Sequence, residues 1–238
     1  MARTALVTGG SGGIGSACVR ALAAEHDVAF QYYSNEAAAE ALVDELSGGE
    51  TRVLPVQANV ADQADVESMV ETVTDELGPI SILVNSAGIM KGDGLGELSP
   101  ETIEQMVSIN LVGTLLCTRA VLPVMADADV GHIVNVSSTA GSHGSHADPV
   151  YAATKGGLNA LTLSLASVHT KDNIFTNAVA PGATETDMFP GEWVEAAEKG
   201  YPLGRLVQPE EVADAVVFLT ETTSISGEVV EIDQGKLL

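Results

Sequence analysis

The stretch Thr4-Ala-Leu-Val-Thr-Gly-Gly-Ser-Gly-Gly-Ile-Gly15 decides the fold. Its first five residues, Thr4 to Thr8, have the apolar pattern of a buried strand, and Ser16 to Ala24 have helical spacing and much alanine. Between the two lie five glycines in seven residues. Such a loop lets backbone N–H groups approach a pyrophosphate at the helix N-terminus, where the helix dipole favours an anion. The stretch therefore predicts a dinucleotide site, because a flexible linker would not lie between the first strand and the first helix.

Strands and helices alternate along the rest of the chain. Further strands are predicted at Val28–Tyr32, Thr51–Ala58, Ile80–Asn85, from His132, at Ile174–Ala180 and at Glu228–Ile232. Helices are predicted at Asn35–Leu46, Ala64–Leu77, Pro100–Met125, Val150–Val168 and Pro209–Thr220. Strands joined by helices of this length form a parallel sheet with right-handed crossovers. We expect an α/β fold in one domain over residues 1–238: a doubly wound Rossmann sheet of about seven parallel strands with helices on both faces.

Composition limits the possible partners. The 238 residues include 33 acidic and 10 basic side chains, for a net charge of −23. This charge disfavours nucleic acid, which needs a basic patch, and with only five lysines it favours adaptation to molar salt, where repulsion is screened. A merely acidic protein from an ordinary environment is the alternative. We expect no membrane span, because we find no run of about 18 apolar residues, and no signal peptide, so we place the chain in the cytoplasm. Cys18 and Cys117 are expected to be small buried hydrophobes.

Tyr151 and Lys155 lie four residues apart in a predicted helix, so they share one face. A phenol has a pKa near 10, which a neighbouring ammonium lowers. Ser138 ends the apolar run from Gly131 and could hold a substrate oxygen near Tyr151. Packing of the tyrosine under a helix, with a solvated lysine, is the alternative for this spacing alone; the glycine loop favours the catalytic interpretation.

The pattern Thr8-Gly9-x-x-x-Gly13-x-Gly15, Asn85-Ser-Ala-Gly88, Asn110, Ser138, Tyr151-x-x-x-Lys155 and Pro181-Gly182 resembles the short-chain dehydrogenase/reductase family over essentially the whole chain. Val179-Ala-Pro-Gly-x-x-x-Thr-Asp-Met188 is most similar to the 3-oxoacyl reductases of that family. The resemblance implies that Tyr151 protonates a carbonyl and Ser138 bonds its oxygen. It also implies that Lys155 lowers the tyrosine pKa and binds the nicotinamide ribose, and that Asn110 holds a water. The cofactor residues that it implies are Gly9, Ser11, Gly13, Ile14, Gly15, Tyr33, Ser34, Asn35, Asn59, Val60, Asn85, Ala87, Gly88, Tyr151, Lys155, Pro181, Gly182, Thr184 and Thr186. A homotetramer is the expected assembly.

The choice of nicotinamide depends on the end of the second strand. An acidic residue there would bind the adenosine ribose and indicate NAD, but Gln31-Tyr-Tyr-Ser-Asn35 contains none. We therefore expect NADP, with Ser34 and Asn35 bonding the 2′-phosphate. NAD stays possible, because the Arg or Lys that is usual in NADP-dependent members is absent.

The predicted function is reduction of a 3-oxoacyl thioester, such as acetoacetyl-CoA, by NADP(H). The alternatives are a short-chain alcohol, polyol or other small-carbonyl dehydrogenase, and a non-catalytic NADP(H)-sensing binding protein. Asp129 and Asp172 stand where carrier-dependent relatives have basic residues, so we expect a small-molecule carbonyl or acyl-CoA substrate. Residues 185–201, with Trp193, are interpreted as a mobile lid, and structural packing is the alternative for Trp193. His143 and His146 are only weak evidence for a metal, and we predict none.

Overall fold

A computed structural model of the chain describes residues 3–189 and 191–235. Seven parallel strands form one sheet in the order β3-β2-β1-β4-β5-β6-β7. The strands are β1 Thr4–Thr8, β2 Asp27–Tyr32, β3 Val53–Gln57, β4 Ile80–Asn85, β5 Gly131–Val136, β6 Ile174–Pro181 and β7 Val229–Ile232. The strand order reverses beside β1, where the chain crosses from one half of the sheet to the other. The predicted Rossmann sheet is confirmed, and ligands of such sheets bind where the order reverses.

The helices follow the strands in alternation. They are α1 Gly13–Ala23, α2 Glu36–Leu46, α3 Gln63–Leu77, α4 Pro100–Val107, α5 Thr114–Met125, α6 Thr139–His143, α7 Pro149–His169, α8 Gly191–Gly200 and α9 Pro209–Thr220. A π segment, Ser108–Gly113, joins α4 to α5, and a 3-10 turn, Thr170–Asp172, follows α7. Sequence predicts the long helices to within a few residues of these bounds. It predicted neither the π segment nor the helices α6 and α8.

Each face of the sheet is buried under its own layer of helices. Along β1, Ala5 and Val7 face the apolar side chains of α1, α2 and α9, whereas Leu6 faces those of α3 and α5. All three are fully buried, and burial of an aliphatic side chain contributes about 1.5–3 kcal/mol. Because both faces are covered, the central strands have continuous apolar runs, as expected for a parallel sheet.

The tract Pro100–Met125 has 26 residues, and an 18-residue window within it has a mean hydropathy of 1.6, so it is long and apolar enough to cross a bilayer. Polar and charged residues such as Asn110 and Arg119 interrupt the tract, so it is not an unbroken apolar run. In the fold the tract is a layer on the sheet, with Met106, Cys117 and Val121 buried. A core helix of this kind passes the same test of length and composition, so the tract is weak evidence for a membrane span.

Both cysteines are buried and free, and burial raises the pKa of each thiol to about 12. Cys18 lies on the buried face of α1 and Cys117 on that of α5, each within an apolar cluster. They are small hydrophobes of the core, as predicted.

Candidate active site

The site lies at the edge where the parallel strands end. Thr8 is in register with Asn85, and Asn85 with Asn135, so β1, β4 and β5 end side by side. The chain then leaves this edge through the glycine loop, through the turn after Asn85 and through the segment that contains Ser138. The topology therefore brings the predicted cofactor and catalytic segments to one place.

The glycine loop forms a cradle that side chains would fill. Gly9 has a φ of +66°, and a Cβ there would lie 2.8 Å from the Cα of Ala87. A Cβ on Gly15 would lie 2.1 Å from the carbonyl oxygen of Gly9, and one on Gly13 would lie 2.4 Å from Cγ2 of Thr186. These contacts require glycine at three of the predicted cofactor positions and place Thr186 over the start of α1. Ser11, partly exposed, lies in the same loop.

Helix α1 begins without a side-chain cap. Asn35, Asp62, Ser99 and Asp148 each cap another helix, α2, α3, α4 and α7 respectively. The first N–H groups of a helix have no partner within it, so the start of α1 leaves donors for an anion. An uncapped, glycine-lined helix start fits the pyrophosphate of a dinucleotide, and Gly13, Ile14 and Gly15 would hold it.

Two residues that the sequence analysis missed hold this loop in place. The buried Gln31 side chain accepts from the N–H of Gly9 at 2.8 Å and donates to the carbonyl of Ala58 at 2.6 Å. The hydroxyl of Thr8 accepts from the N–H groups of Ser86 and Ala87, both at 3.1 Å. Only the tertiary structure reveals these bonds, because their partners lie 22 to 79 residues away.

Ser138, Tyr151 and Lys155 come together beyond the end of β5. The Ser138 hydroxyl lies beside the Tyr151 phenol and donates to the carbonyl of Pro181 at 3.4 Å. The Lys155 ammonium lies 5.5 Å from the centre of the Tyr151 ring and donates to the carbonyl of Val136 at 2.7 Å. Lys155 is only 3% exposed, so its charge lies inside the site.

Burial dominates the protonation of both groups. It raises the pKa of Tyr151 to about 12; the neighbouring Ser138 hydroxyl opposes this shift, and the charge of Asp148 adds to it. Burial lowers the pKa of Lys155 to about 8. The expectation of a lowered pKa for Tyr151 is therefore wrong for this arrangement, because desolvation of the phenolate outweighs the other effects. At neutral pH the phenol keeps its proton, which is the form that a proton donor needs.

Asp148, which the sequence analysis did not select, joins the tyrosine helix to the loop after β4. Its carboxylate is fully buried. Oδ1 accepts from the N–H of Tyr151 at 2.9 Å, and Oδ2 accepts from the N–H groups of Lys91 and Gly92 at 3.0 and 3.1 Å. A capping signal is visible in Asp148-Pro149, where proline begins the helix. Nothing in the sequence indicates the bonds from Lys91 and Gly92 to this carboxylate.

Asn110 lies in the π segment and is fully buried. Its oxygen accepts from the N–H of Ile89 at 2.8 Å, and its amide donates to the carbonyl of Ile89 at 2.9 Å and to Thr154 at 3.2 Å. The implied water-holding role of Asn110 stays a prediction, since its side-chain oxygen accepts one bond and has a second lone pair. A Cβ on Gly88 would lie 3.4 Å from the Asn110 oxygen and 3.5 Å from the Lys155 nitrogen, so Asn110 still borders the site.

Several other predicted cofactor residues have bonds inside the fold. The Asn85 amide nitrogen donates to Asn135 at 2.9 Å and to Thr118 at 3.2 Å, whereas its side-chain oxygen is buried without a hydrogen-bond partner in the described part of the chain. The Asn59 oxygen accepts from the N–H of Ala61 at 3.1 Å. Val60 is buried, and a Cβ on Gly113 would lie 2.9 Å from it.

The adenosine end of the predicted site is open. Tyr33 is 65% exposed, and Ser34 and Asn35 are exposed beside it. The Asn35 oxygen caps α2 by accepting from the N–H of Ala38 at 3.2 Å, which leaves the amide hydrogens as its donors.

At the other end, Gly182 lies against the Tyr201 ring, and the Thr184 hydroxyl donates to the Gly182 carbonyl at 3.0 Å. Most of the predicted lid is helix α8, followed by the buried Tyr201. The Trp193 side chain is outside the described part of the chain.

His143 bonds Glu231 of β7 through Nε2 at 2.8 Å, whereas His146 is exposed. Across residues 3–189 and 191–235, no group of three or more His, Cys, Asp or Glu side chains is arranged to hold a metal ion. We therefore place the two histidines in the loop and short helix beside the site.

A glycine cradle before α1 and a Ser-Tyr-Lys group after β5 define the class of NAD(P)-dependent oxidoreductases of the Rossmann type. The sequence profile described as "short chain dehydrogenase" matches residues 3–195. The chain belongs to the short-chain dehydrogenase/reductase family.

The chain matches similar proteins over nearly its full length. The chain is 36% identical over 241 residues to a Synechocystis protein named 3-oxoacyl-[acyl-carrier-protein] reductase, covering 100% of this chain and 98% of that protein. It is 36% identical over 235 residues to carbonyl reductase family member 4 of Xenopus laevis, covering 99% of this chain and 98% of that protein.

Two solved structures have the same architecture. A dehydrogenase/reductase from Sinorhizobium meliloti superposes with a TM-score of 0.95 at 30% identity, covering 100% of this chain and 96% of that one. A blue fluorescent protein from a metagenomic library, in complex with NADPH, superposes with a TM-score of 0.93 at 35% identity, covering 99% of this chain and 98% of that one.

Proposed function

We propose that this chain is an NADP(H)-dependent reductase of 3-oxoacyl thioesters, with one catalytic domain spanning residues 1–238. The observation that carries the proposal is the meeting of Ser138, Tyr151 and Lys155 at the same sheet edge as the glycine cradle. A protein that only sensed the cofactor would not need all three. The full-length similarity to a protein named 3-oxoacyl-[acyl-carrier-protein] reductase supports the substrate class.

Ser138, Tyr151 and Lys155 have different tasks in the proposed reaction. When bound, the reduced nicotinamide supplies a hydride to the carbonyl carbon of the substrate. The Tyr151 hydroxyl donates its proton to the carbonyl oxygen, and Ser138 hydrogen-bonds that oxygen as negative charge develops on it. Lys155, with a pKa of about 8, is largely charged at neutral pH. It stabilises negative charge on Tyr151 after the proton leaves and binds the nicotinamide ribose.

NADP is the proposed cofactor because no carboxylate follows β2 at residues 33–35. The hydroxyl of Ser34 and the amide hydrogens of Asn35 would bond the 2′-phosphate. The NADPH complex of the metagenomic relative supports this choice. Kd values for NADPH and NADH, measured by fluorescence titration, test it, and tighter binding of NADH would overturn it.

Coenzyme A is the proposed carrier of the substrate. Asp129 and Asp172 are exposed and lie next to the starts of β5 and β6, at the opposite edge of the sheet from Tyr151. The argument against an acidic carrier protein therefore rests mainly on the net charge of −23, because like charges slow encounter and weaken complexes. Comparing kcat/KM on acetoacetyl-CoA and on an acetoacetyl carrier protein decides it, and a clear preference for the carrier protein would refute the argument.

The reaction itself is tested by mixing the protein with NADPH and acetoacetyl-CoA and following nicotinamide absorbance. Consumption of NADPH that depends on the thioester supports the proposal. Turnover of small ketones or alcohols alone would favour the small-carbonyl alternative, which the similarity to carbonyl reductase family member 4 supports. Binding of NADPH without turnover of any carbonyl would favour the sensing protein.

A homotetramer in a salt-rich cytoplasm is the proposed setting. Exposed apolar side chains lie on the long tract and on α7, where Val112, Leu115, Leu163 and Val168 are 38 to 57% exposed. Phe218 of α9 and Val230 of β7 are 59% and 36% exposed. Faces of this kind are typical of subunit contacts, and a monomer in light scattering would refute the tetramer.

A further inference from the structure

Positive charge that is free to bind an anion is scarce in this chain. Among the 10 basic residues, Lys155 is buried in the site, and six others contact carboxylates: Arg3 with Glu221, Arg20 with Glu45, Arg52 with Asp27, Arg119 with Glu67, Lys199 with Glu195 and Arg205 with Glu211. Within residues 3–189 and 191–235, only Lys91 and Lys171 have neither a carboxylate at salt-bridge distance nor a buried position.

These two lysines lie at opposite edges of the sheet. Lys171 lies in the 3-10 turn before β6, at the edge where the strands begin. Lys91 lies three residues beyond Gly88, which borders Lys155 and Asn110. One buried carboxylate, that of Asp148, accepts from the backbone N–H groups of both Lys91 and Tyr151. This shared carboxylate fixes the Lys91 backbone to the start of the tyrosine helix, at the mouth of the site. The Lys91 side chain is exposed there.

The position of Lys91 separates it from the expected cofactor phosphates. The pyrophosphate site is at the start of α1, and the residues expected to hold the 2′-phosphate follow β2. In the order β2-β1-β4, β2 is two strands from β4, or about 10 Å. Lys91 follows β4, so it lies on the substrate side of the edge.

We propose that Lys91 binds a phosphate of the coenzyme A portion of the substrate, and so helps to select phosphate-bearing thioesters. The inference rests on the proposed function, because it concerns the substrate of the same site. A polyanionic substrate approaching a protein of net charge −23 is repelled, and an unpaired ammonium at the mouth offsets that repulsion locally. Lys suits this task, since it carries a point charge on a flexible stem.

The test is a charge series on three thioesters with the same reacting group. Lys91→Arg, Lys91→Gln and Lys91→Glu are compared with wild type on acetoacetyl-CoA, acetoacetyl-phosphopantetheine and acetoacetyl-pantetheine, at the lowest salt that keeps the native circular dichroism spectrum. On acetoacetyl-CoA we expect KM to rise about two- to fivefold for Gln, as for loss of one exposed charge contact. Glu should raise KM further, Arg should be near wild type, and kcat should change little. On acetoacetyl-pantetheine all four proteins should have similar KM values.

Lys171→Gln is the matched control, because among the described residues Lys171 is the other exposed lysine without a carboxylate partner, and it lies at the remote edge. An equal effect of Lys91→Gln and Lys171→Gln would show a general change of surface charge and overturn the proposal. An equal loss on acetoacetyl-pantetheine, or no loss on any thioester, would overturn it as well. An effect that persists on phosphopantetheine assigns the contact to its phosphate; one that needs intact coenzyme A assigns it to the nucleotide phosphates. Both support the proposal.

A binding measurement separates this inference from the proposed reaction. Free coenzyme A is titrated into the protein saturated with NADPH. Lys91→Gln should raise the Kd for coenzyme A by the same factor as it raises the KM for acetoacetyl-CoA. If coenzyme A does not bind the wild type, the inference is overturned, even if acetoacetyl-pantetheine is reduced. If coenzyme A binds through Lys91 but no thioester is reduced, the inference stands and the proposed reaction fails.

Discussion

The starts of helices α1 and α7 lie at the same edge of the sheet but are built in opposite ways. Helix α1 begins with glycine and has no side-chain cap. Helix α7 begins with a fully buried aspartate that accepts from the N–H of Tyr151 and from two N–H groups of a neighbouring loop. The first helix start leaves donors for a ligand, and the second uses its own carboxylate to satisfy them.

The difference shows how one fold separates binding from reaction. An uncapped helix start can bind phosphate without displacing a side chain. A capped start fixes the position of the residues that follow, which suits a proton donor that must be held near the substrate. We therefore expect changes at α1 to affect cofactor binding first, and changes at α7 to affect turnover first.

The largest expected effect on binding comes from Gly15→Ala. The new Cβ would lie 2.1 Å from the backbone oxygen of Gly9, so no side-chain rotation can relieve the contact. Overpacking of this kind costs about 1–3 kcal/mol, which corresponds to a loss of NADPH affinity of up to roughly a hundredfold. Gly12→Ala is the control, since its Cβ would meet only the Gly9 oxygen at 3.4 Å. Equal Kd values for the two variants in a fluorescence titration would contradict the cradle.

The pH dependence of turnover is expected to follow Lys155. Its pKa is lowered from 10.5 to about 8 by burial, so the ammonium is present below about pH 8 and is lost above it. If the ammonium is needed, kcat/KM falls about tenfold per pH unit beyond that value. A profile that stays flat to about pH 10 would show that the charge is not needed.

Melting curves over the same pH range are the control for that profile. The folded pKa of Lys155 lies below the unfolded value, so the unfolded chain binds more protons between the two values. Stability from this group therefore rises with pH through that window. Loss of turnover there is not unfolding caused by Lys155.

A smaller effect is expected from Asp148→Ala, which releases both the start of α7 and the Lys91–Gly92 loop. We expect kcat to fall about tenfold through misplacement of Tyr151, with NADPH affinity nearly unchanged. Asp148→Asn keeps one accepting oxygen and should restore part of the rate. Asp62→Ala removes a comparable aspartate cap from α3 and should lower the melting temperature without changing kcat. Similar kinetics for Asp62→Ala and Asp148→Ala would refute the positioning role.

The smallest expected effect is that of salt on the stability of the whole fold, including both helix starts. Because the chain carries a net charge of −23, self-repulsion destabilises the compact state at low ionic strength. We expect the melting temperature to rise by several degrees between low and molar KCl, since the Debye length shrinks to about 3 Å at 1 M. A melting temperature that does not change with KCl would contradict halophilic adaptation.

The contrast between the two helix starts also shows what sequence could predict. The glycine loop and the Tyr151–Lys155 spacing are local patterns with a known physical cause, so they indicated the sheet, the cradle and the pair. Other contacts join residues far apart in the chain: Asp148 with the N–H of Lys91, Gln31 with the carbonyl of Ala58, and Asn85 with Asn135. Local periodicity carries no information about such partners, and it cannot distinguish the π segment around Asn110 from ordinary helix.

Protonation was the other point that sequence could not predict. The spacing of Tyr151 and Lys155 suggested a lowered tyrosine pKa, but burial raises it to about 12. Desolvation depends on everything packed around the group, and this is known only after folding.

Tyr151→Phe tests the central claim, that the start of α7 carries the reaction while the start of α1 carries the cofactor. NADPH affinity and acetoacetyl-CoA turnover are measured on the same preparation. The account predicts a Kd for NADPH within about twofold of wild type, because the phenol proton has no part in phosphate binding, and a kcat lower by about a thousandfold, because the proton donor is gone. Turnover near that of wild type, or a loss of NADPH affinity as large as the loss of turnover, would contradict it.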